Sequence, residues 1–378
     1  MDIFDGSLNE QLSRRSWLQK SAAGLAGAAI ASSLGPSSIL AAGRSQPIQI
    51  ALVGGQHIHT PDFAERMASS DLVETRYVWD SSPDTARSRS DVTGGEVIDD
   101  PQFIYDDPEV EAVVITSRTA RHRELVLPAV EAGKHVFVEK PLGMDGEEAR
   151  ELADAINEAG VIFQTGFFMR SDPNHILVRE VIQNGDLGTV TRLRLSNAHS
   201  GAIGDWFGDE WRWMADRQYA GVGGFGDLGA HVVDLLVWFM EDHEVQRATG
   251  HIDTAIERYE GTDEFGEGMV TFDTGTVATI AAGWVDVANP NTLEVNGTEG
   301  HVRITEGDLF LRSDHIEGAD ASEPWTDLPE EEEHPLEQFF LAIAGEEQPL
   351  VSPDEAALGN KIITAIYEGS EAKEWVGV

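Results

Sequence analysis

A lysine that follows a short apolar run is the first residue that could carry chemistry. The run His135-Val-Phe-Val-Glu139-Lys140-Pro141-Leu142 ends in an acid, a base and a proline. Its apolar part is typical of a buried strand, because β-branched and aromatic residues suit a covered, pleated surface. Pro141 cannot continue a central strand and keeps Lys140 out of helical dihedral angles. Lys140 is therefore predicted at the carboxyl end of a strand, where open α/β sheets bind ligands. We take it as a candidate catalytic amine, with a surface loop lysine as the alternative.

An acid and a histidine form a second candidate group in Asp227-Leu-Gly-Ala-His231-Val-Val-Asp234. Asp227 and His231 are four residues apart, so on a helix they share one face, with Asp234 close to it. A carboxylate beside an imidazole orients the ring and raises its basicity, which suits a general base near neutral pH. An i,i+4 pair that only steadies the start of a helix is the alternative.

Gly54 and Gly55 end the first apolar run and could bring backbone close to a pyrophosphate. Counted from Gly54, Gln56 and His59 stand at the second and third glycine positions of a G-x-G-x-x-G fingerprint, so this turn alone is a weak signal. Asp80 ends the next predicted strand, where an acid accepts hydrogen bonds from an adenosine ribose and repels a 2′-phosphate. NAD is thus favoured over NADP; the alternative for Asp80 is a strand-end turn residue.

His57 and His59, in the same turn, raise the question of a metal site. The chain has no cysteine, and the sequence identifies no third ligand, so two histidines alone do not define a metal site. We predict no metal site and expect histidines that line a cleft. The absence of cysteine also excludes disulfides and thiol catalysis.

Two patterns of elements position these groups. Strands are predicted to alternate with helices from residue 46 to residue 168, with Thr60 as the N-cap of the first helix. That alternation predicts a doubly wound parallel sheet. Residues 169–378 contain longer strands in succession, which predict a second, α+β domain with a mostly antiparallel sheet. Helices are predicted there over Asp227–Met240 and near the end of the chain.

The composition is strongly acidic: 67 Asp and Glu against 26 Lys and Arg give a formal net charge of −41. Such a charge argues against nucleic acid or an anionic membrane as a partner. Hydrophobic residues make up an ordinary 41% of the 378 residues, which indicates a folded protein. An acidic surface on an ordinary core suggests adaptation to high salt, which screens self-repulsion.

Residues 1–43 are predicted to be a targeting segment. Ser13-Arg14-Arg15-Ser16-Trp17-Leu18-Gln19-Lys20 resembles a twin-arginine export signal. The weakly apolar stretch Ala22–Ala42 is interrupted by serines and by Gly35-Pro36, so a stable membrane span is not expected. We therefore expect export by the twin-arginine machinery to the periplasm or the exterior; a disordered tail is the alternative.

The two candidate groups together resemble a known family. Glu139-Lys140-Pro141, followed by Gly223-Gly224-x-x-Asp227-x-Gly229-x-His231, is similar to the Gfo/Idh/MocA oxidoreductases, which include glucose–fructose oxidoreductase and inositol dehydrogenase. His122 matches a histidine after the family's fourth strand, and Gly166–Pro173 matches the junction between domains. The resemblance implies a Rossmann domain, a C-terminal domain with an open antiparallel sheet, and a nicotinamide cofactor between them. It also implies a homo-oligomer formed through the open sheet.

The resemblance assigns a role to each site residue. Lys140, Asp227 and His231 would form the catalytic group and, with Arg170, contact a sugar or polyol. His231 would take the hydroxyl proton as hydride leaves for the nicotinamide, while Lys140 stabilises the developing charge. The implied cofactor contacts are Gly54, Gly55, Asp80, Ser117, His122, Glu139 and Lys140. The chain departs from the family pattern at Gln56 and His59, and in Ser117–His122, which lacks the family's Pro and Asn.

The sequence thus favours an exported NAD(P)-dependent oxidoreductase of sugars, sugar derivatives or polyols. Two other functions remain open. One is a glycoside hydrolase that uses NAD transiently, as some exported relatives do. The other is a sugar-binding relative that has lost its cofactor, which the altered glycine turn would permit.

Overall fold

The computed structural model describes residues 46–378, which form two β-sheets with their helices. The predicted twin-arginine segment lies outside the described residues.

The first sheet is built from six short strands. Their bounds are β1 Ile48–Val53, β2 Val73–Trp79, β3 Glu96–Val97, β4 Ala112–Ile115, β5 His135–Val138 and β6 Phe163–Thr165. Of these, β1, β4, β5 and β6 are almost entirely buried. The order across the sheet is β3-β2-β1-β4-β5-β6, and every neighbouring pair is parallel. The order reverses between β1 and β4, where such sheets open a ligand crevice at their carboxyl edge. The predicted doubly wound sheet is confirmed.

Helices cover this sheet on both faces. They are α1 Thr60–Ser69, α2 Pro83–Thr93, α3 Gln102–Asp106, α4 His122–Glu131 and α5 Gly146–Ala159. The predicted N-cap is wrong by one residue: α1 begins at Thr60, His59 precedes it, and the Thr60 hydroxyl has no hydrogen-bond partner. Helix α2 was not predicted, although Ser82 caps it by accepting a hydrogen bond from Thr85 N.

The second sheet has eight strands. After α6, Pro173–Gln183, come β7 Val190–Ala198, β8 Val245–Asp253, β9 Phe265–Phe272, β10 Val277–Gly283, β11 Asn291–Gly297, β12 Gly300–Thr305, β13 Asp308–Ser313 and β14 Val376–Gly377. Their order is β13-β12-β11-β7-β10-β9-β8-β14, and β7 with β10 is the one parallel pair among these described strands. The predicted mostly antiparallel sheet is confirmed.

One helix, Gly224–Phe239, fills the space between the second sheet and the rest of the described chain. This helix, α8, follows the short helix α7, Arg217–Ala220, and all of its residues are buried. It starts three residues before the predicted Asp227. By length and composition, Arg217–Phe239 could cross a membrane, but its apolar window is entirely buried inside the protein. These features describe a core helix.

Two further helices, α9 Pro335–Ala344 and α10 Pro353–Ala372, tie the two halves together. Leu336, Phe339 and Phe340 of α9 complete the core under β1 and β5. Helix α10 packs against α5, α8 and β8. Residues that follow the predicted domain boundary at residue 168 therefore also contribute to the core of the first sheet.

Candidate active site

Lys140 meets Asp227 at the carboxyl edge of the first sheet. Lys140 lies directly beyond β5, and Asp227 lies in the first turn of α8. The Lys140 Nζ donates to Asp227 Oδ1 at 2.7 Å, and Trp284 Nε1 donates to Asp227 Oδ2 at 3.0 Å. Two predicted residues are therefore joined, one that follows a strand of the first sheet and one on the helix α8, and Trp284, which the sequence did not single out, holds the carboxylate from the other side.

The Asp227 carboxyl is ionised in this position. Burial alone would raise its pKa, but the charge and the hydrogen bond of Lys140 outweigh burial and hold the pKa well below its usual range. The result is a buried ion pair that fixes the direction of the lysine amine.

His231 lies in the same region, one helical turn after Asp227. Burial, reinforced by the nearby Lys140 charge, lowers the pKa of His231 well below its ordinary value, so the ring is neutral at pH 7. Its Nδ1 has no hydrogen-bond partner in the protein. The rings of Phe167 and Phe168 lie 5.8 and 5.0 Å from the imidazole, measured between centroids. A neutral imidazole with a free nitrogen can accept a proton.

The pairing of these groups differs from the sequence expectation. Asp227 was expected to orient His231 directly, but its oxygens are bonded to Lys140 and Trp284. Asp234 was expected near the same face, and it instead pairs with Arg170. The reason is that Lys140 arrives from another sheet and takes the carboxylate that sequence spacing alone assigned to the imidazole.

Arg170 corrects a second expectation. Its Nε and Nη2 donate to the two oxygens of Asp234 at 2.9 and 2.7 Å. Its Nη1 donates to Glu355 Oε1 at 2.8 Å and to the Leu350 carbonyl at 2.6 Å. The side chain has no exposed surface. Arg170 therefore joins α8 to α10 and has no donor directed at a ligand, contrary to the predicted substrate contact.

The glycine turn, Gly54–His59, is packed against the end of β4. Gly54 has φ +82°, and a Cβ there would lie 2.6 Å from the Ser117 Cβ, so only glycine fits. Gly55 N donates to Asp80 Oδ2 at 2.7 Å. The structure thus brings together four of the predicted cofactor residues, Gly54, Gly55, Asp80 and Ser117, at the point where the strand order reverses.

Gln56 spans this turn in place of a glycine. Its Nε2 donates to Asp80 Oδ1 at 2.9 Å, and its Oε1 accepts from Arg118 Nε at 2.6 Å. Trp213 Nε1 donates to the Gln56 carbonyl at 3.0 Å. Neither Arg118 nor Trp213 was singled out from the sequence. The fit to a dinucleotide is retained at Asp80, because Oδ2, which accepts from Gly55 N, has a second lone pair for a ribose hydroxyl.

His122 and Glu139 lie deeper than predicted. His122 is buried, and its Nδ1 donates to the Leu142 carbonyl at 3.1 Å, so it holds the loop that follows Lys140. Glu139 is fully buried, and its Oε1 lies 3.1 Å from His59 Nδ1 and 3.8 Å from His57 Nδ1. Glu139 is thus the third potential ligand beside the two histidines, which the sequence could not supply.

An aromatic surface lies near the catalytic group. Phe168 beside His231 is 45% exposed, and Trp206, 46% exposed, lies against the ring of His199 with centroids 4.6 Å apart. Burial lowers the pKa of His199, and the charges of Asp227 and Lys140 also influence this ring. No helical or strand periodicity points to His199 or Trp206, because both lie in the long connection after β7.

These features define a class of protein: a nicotinamide-dependent oxidoreductase with a Rossmann sheet and an open second sheet. The family model described as "Oxidoreductase family, NAD-binding Rossmann fold" matches residues 48–167, and the GFO/IDH/MocA C-terminal domain model matches residues 175–303. The chain belongs to the Gfo/Idh/MocA family of oxidoreductases, and its N-terminal part is an NAD-binding Rossmann domain.

Relatives of this family are named for sugars and polyols. The chain is 28% identical over 301 residues to 1,5-anhydro-D-fructose reductase of Ensifer adhaerens, covering 75% of this chain and 86% of that protein. It is 28% identical over 223 residues to scyllo-inositol 2-dehydrogenase (NAD(+)) of Bacillus subtilis (strain 168), covering 58% and 60%. A solved levoglucosan dehydrogenase in complex with NADH and levoglucosan has a TM-score of 0.73 at 22% identity, covering 88% of this chain and 100% of that chain, which shows the common fold.

Proposed function

We propose that this chain is an exported dehydrogenase that transfers hydride from a hydroxyl-bearing carbon of a sugar, sugar derivative or polyol to NAD. The observation that carries the proposal is the 2.7 Å contact between Lys140 Nζ and Asp227 Oδ1 beside the neutral His231. This group stands at the carboxyl edge of the parallel sheet, where the fold places a dinucleotide.

The side chains present can perform the proton half of this reaction. A bound nicotinamide would supply the acceptor for the hydride, that is, for the C–H electron pair. His231 accepts the hydroxyl proton as the carbonyl forms, because its ring is neutral. Lys140 donates a hydrogen bond to the same oxygen and stabilises its negative charge. Asp227 and Trp284 hold the amine in place.

The surroundings of this group support a sugar or polyol substrate. Phe168 and Trp206 present exposed aromatic faces, which suit the C–H face of a sugar ring, and the Lys140–Asp227 pair suits its hydroxyls. The substrates named for the relatives, an anhydro sugar and an inositol among them, agree with this class.

The preference for NAD over NADP rests on Asp80. Its carboxylate ends β2 and accepts from Gly55 N, Gln56 Nε2 and Ser82 N. A 2′-phosphate placed there would meet a fixed negative charge, whereas a ribose hydroxyl would donate to it. Purified protein should therefore bind NAD more tightly than NADP, and Asp80→Ala should reduce that difference.

Two wider properties belong to the same proposal. The Ser13–Lys20 motif supports export by the twin-arginine pathway, and replacement of both Arg14 and Arg15 by Lys should leave the protein inside the cell. We also propose self-association through the outward face of the second sheet, which carries the exposed pair of Arg194 on β7 and Glu294 on β11. Light scattering at known protein concentration tests it.

The decisive experiment incubates purified protein with NAD and a panel of sugars, polyols and glycosides. Formation of reduced nicotinamide in equal amount to a ketone or lactone product supports the proposal, with Lys140→Met as the inactive control. Glycoside cleavage with no net change in cofactor would identify an NAD-dependent hydrolase instead. Absence both of turnover and of nicotinamide released on denaturation would contradict an enzymatic role and point to a sugar-binding relative.

A further inference from the structure

Glu139 is a buried carboxylate without a full set of partners. It has no exposed surface, its Oε1 is approached by the two histidines, and its Oε2 has no hydrogen-bond partner in the protein. Gly166 packs against it so closely that a Cβ there would lie 2.5 Å from Oε2. The neighbouring amine of Lys140 is bonded to Asp227. A buried carboxylate is costly unless a cation or several donors compensate it, so this position calls for a further positive charge.

The two imidazoles of the glycine turn face that carboxylate. Glu139 Oε1 lies 3.1 Å from His59 Nδ1 and 3.8 Å from His57 Nδ1, and the three potential ligand atoms lie within 4.8 Å of one another. Two ligands of a tetrahedral zinc ion, each about 2.1 Å from the metal, are separated by roughly 3.4 Å. The observed separations bracket this value, so a metal ion can be accommodated with small side-chain rotations.

The chemistry of the three side chains also suits a metal. His57 Nδ1 accepts a 3.3 Å hydrogen bond from His59 N, which a metal at that atom would replace. Neutral imidazoles and a carboxylate are the deprotonated ligands that zinc requires. Magnesium and calcium prefer sites made of oxygen atoms, which this cluster is not.

We propose that His57, His59 and Glu139 bind one divalent transition-metal ion, with Zn²⁺ as the best match. The metal takes the place of the proton that His59 otherwise shares with Glu139. Three protein ligands leave a fourth position for a water molecule. Because Glu139 precedes Lys140 and the histidines belong to the glycine turn, the metal ties two borders of the cofactor cleft together. The proposal does not depend on the identity of the substrate.

The test uses the whole purified protein after removal of metals with a chelator. Zinc is titrated calorimetrically in molar potassium chloride, which screens weak binding to the acidic surface. We expect one tightly bound zinc ion per chain and a higher unfolding temperature with zinc, because a ligand of the native state stabilises it. Bound Co²⁺ should give the intense visible absorption of a tetrahedral site.

Variants locate the site. His59→Ala and Glu139→Gln should each weaken zinc binding by at least about 100-fold, since each removes a direct ligand. His251→Ala is the matched control, because His251 is an exposed imidazole on β8 and its loss should leave zinc binding unchanged. Circular dichroism verifies that the variants fold.

Two outcomes would overturn the proposal. One is wild-type protein that takes up no stoichiometric zinc or cobalt, in which case Glu139 and the histidines form a hydrogen-bonded cluster without metal. The other is zinc binding that is equally strong in His59→Ala, Glu139→Gln and wild type, which would place the ion elsewhere on the acidic surface. The wild-type measurement stands by itself if a variant does not fold.

Discussion

Lys140 Nζ and Asp227 Oδ1 are 2.7 Å apart although 87 residues separate them in the chain. Both side chains are mostly buried, with 2% and 12% of their surfaces exposed. Burying two charges costs about as much as their attraction returns, so such a pair contributes little to net stability. The pair instead fixes the position of the Lys140 amine, at the edge of the first sheet, near the imidazole of His231 on the helix that packs against the second sheet.

Removing that amine should reduce turnover steeply and also lower the stability of the fold, because Asp227 is then a buried carboxylate without its cation. We expect Lys140→Met to lower kcat by about 100- to 10,000-fold, because the oxygen of the reacting hydroxyl loses its charged donor. Asp227→Asn should have a smaller effect, since the amide oxygen can still accept from Lys140. Steady-state kinetics measure both, and Lys361→Met, an exposed lysine on α10, is the control. Undiminished kcat in Lys140→Met would remove the proposed mechanism.

The pH dependence of oxidation should reflect the unusual state of His231. Burial and the Lys140 charge lower its pKa, so the ring stays neutral, and able to accept a proton, when the pH falls below its ordinary value of about 6.5. We expect kcat/KM to remain level from pH 7 to about 6 and to fall only at lower pH, since this ratio reports groups of the free enzyme. An acid limb with its midpoint at or above 6.5 would show that another group is the base.

The buried contact of Arg170 with Asp234 should act on stability and not on substrate binding. Asp234→Ala leaves Nε and Nη2 of the buried Arg170 without their acceptors, while Nη1 keeps Glu355 and the Leu350 carbonyl, so the free energy of unfolding should fall by about 3 kcal/mol. Urea unfolding measures this loss. The KM for substrate should not change, because no Arg170 donor faces the cleft. A large rise in KM with unchanged stability would restore the substrate contact expected from the sequence.

The sequence predicted those features that depend on local pattern. Apolar runs identified five of the six strands of the first sheet but not the two-residue β3, and Pro141 placed Lys140 at a strand end. The spacing of Asp227 and His231 placed both on one helix. Local signals for α2 were also present, since Ser82 precedes Pro83 and Gly94 ends the helix in a left-handed conformation. That helix was missed because its residues are mostly polar and show little apolar periodicity.

The remaining features depend on contacts that no spacing encodes. Trp284 reaches Asp227 from the end of β10, 57 residues away, and His59 reaches Glu139 across 80 residues. The hydrogen bonds of Asp227 could not be deduced from its own helix, because the fold also brings donors to it from distant parts of the chain, Lys140 among them. For the same reason the sequence predicted a substrate contact for Arg170, whereas in the structure its donors are bound by residues of α8 and α10.

His334 offers a test of pH-dependent stability away from the catalytic group. It caps α9 by accepting from Leu336 N at 3.2 Å, and burial, with Arg66, lowers its pKa to about 4. Between pH 6.5 and pH 4 His334 binds a proton in the unfolded chain but not in the native protein, so the free energy of unfolding falls as the pH falls towards 4. The loss at pH 5 is about 1 kcal/mol after allowance for partial exposure.

His334→Asn isolates this contribution, because asparagine caps helices and does not titrate. Between pH 7 and pH 5 the free energy of unfolding of the wild type should fall by about 1 kcal/mol more than that of His334→Asn. Urea unfolding at the two pH values measures the difference, and His251→Asn, an exposed histidine, should behave as wild type does. An identical pH dependence in His334→Asn would show that the capping ring is protonated in the native state.

The formal net charge of −41 predicts that salt stabilises the fold. The range of repulsion between surface carboxylates shrinks from about 10 Å at 0.1 M salt to about 3 Å at 1 M. Urea unfolding in molar potassium chloride should therefore give a free energy higher than in dilute buffer by an amount on the order of a few kcal/mol. Replacing the exposed Glu331, Glu332 and Glu333 by Gln removes three charges and should make the salt response smaller. A free energy of unfolding that is equal or lower in molar salt would mean that self-repulsion does not limit stability. The acidic surface would then not be explained by adaptation to high salt.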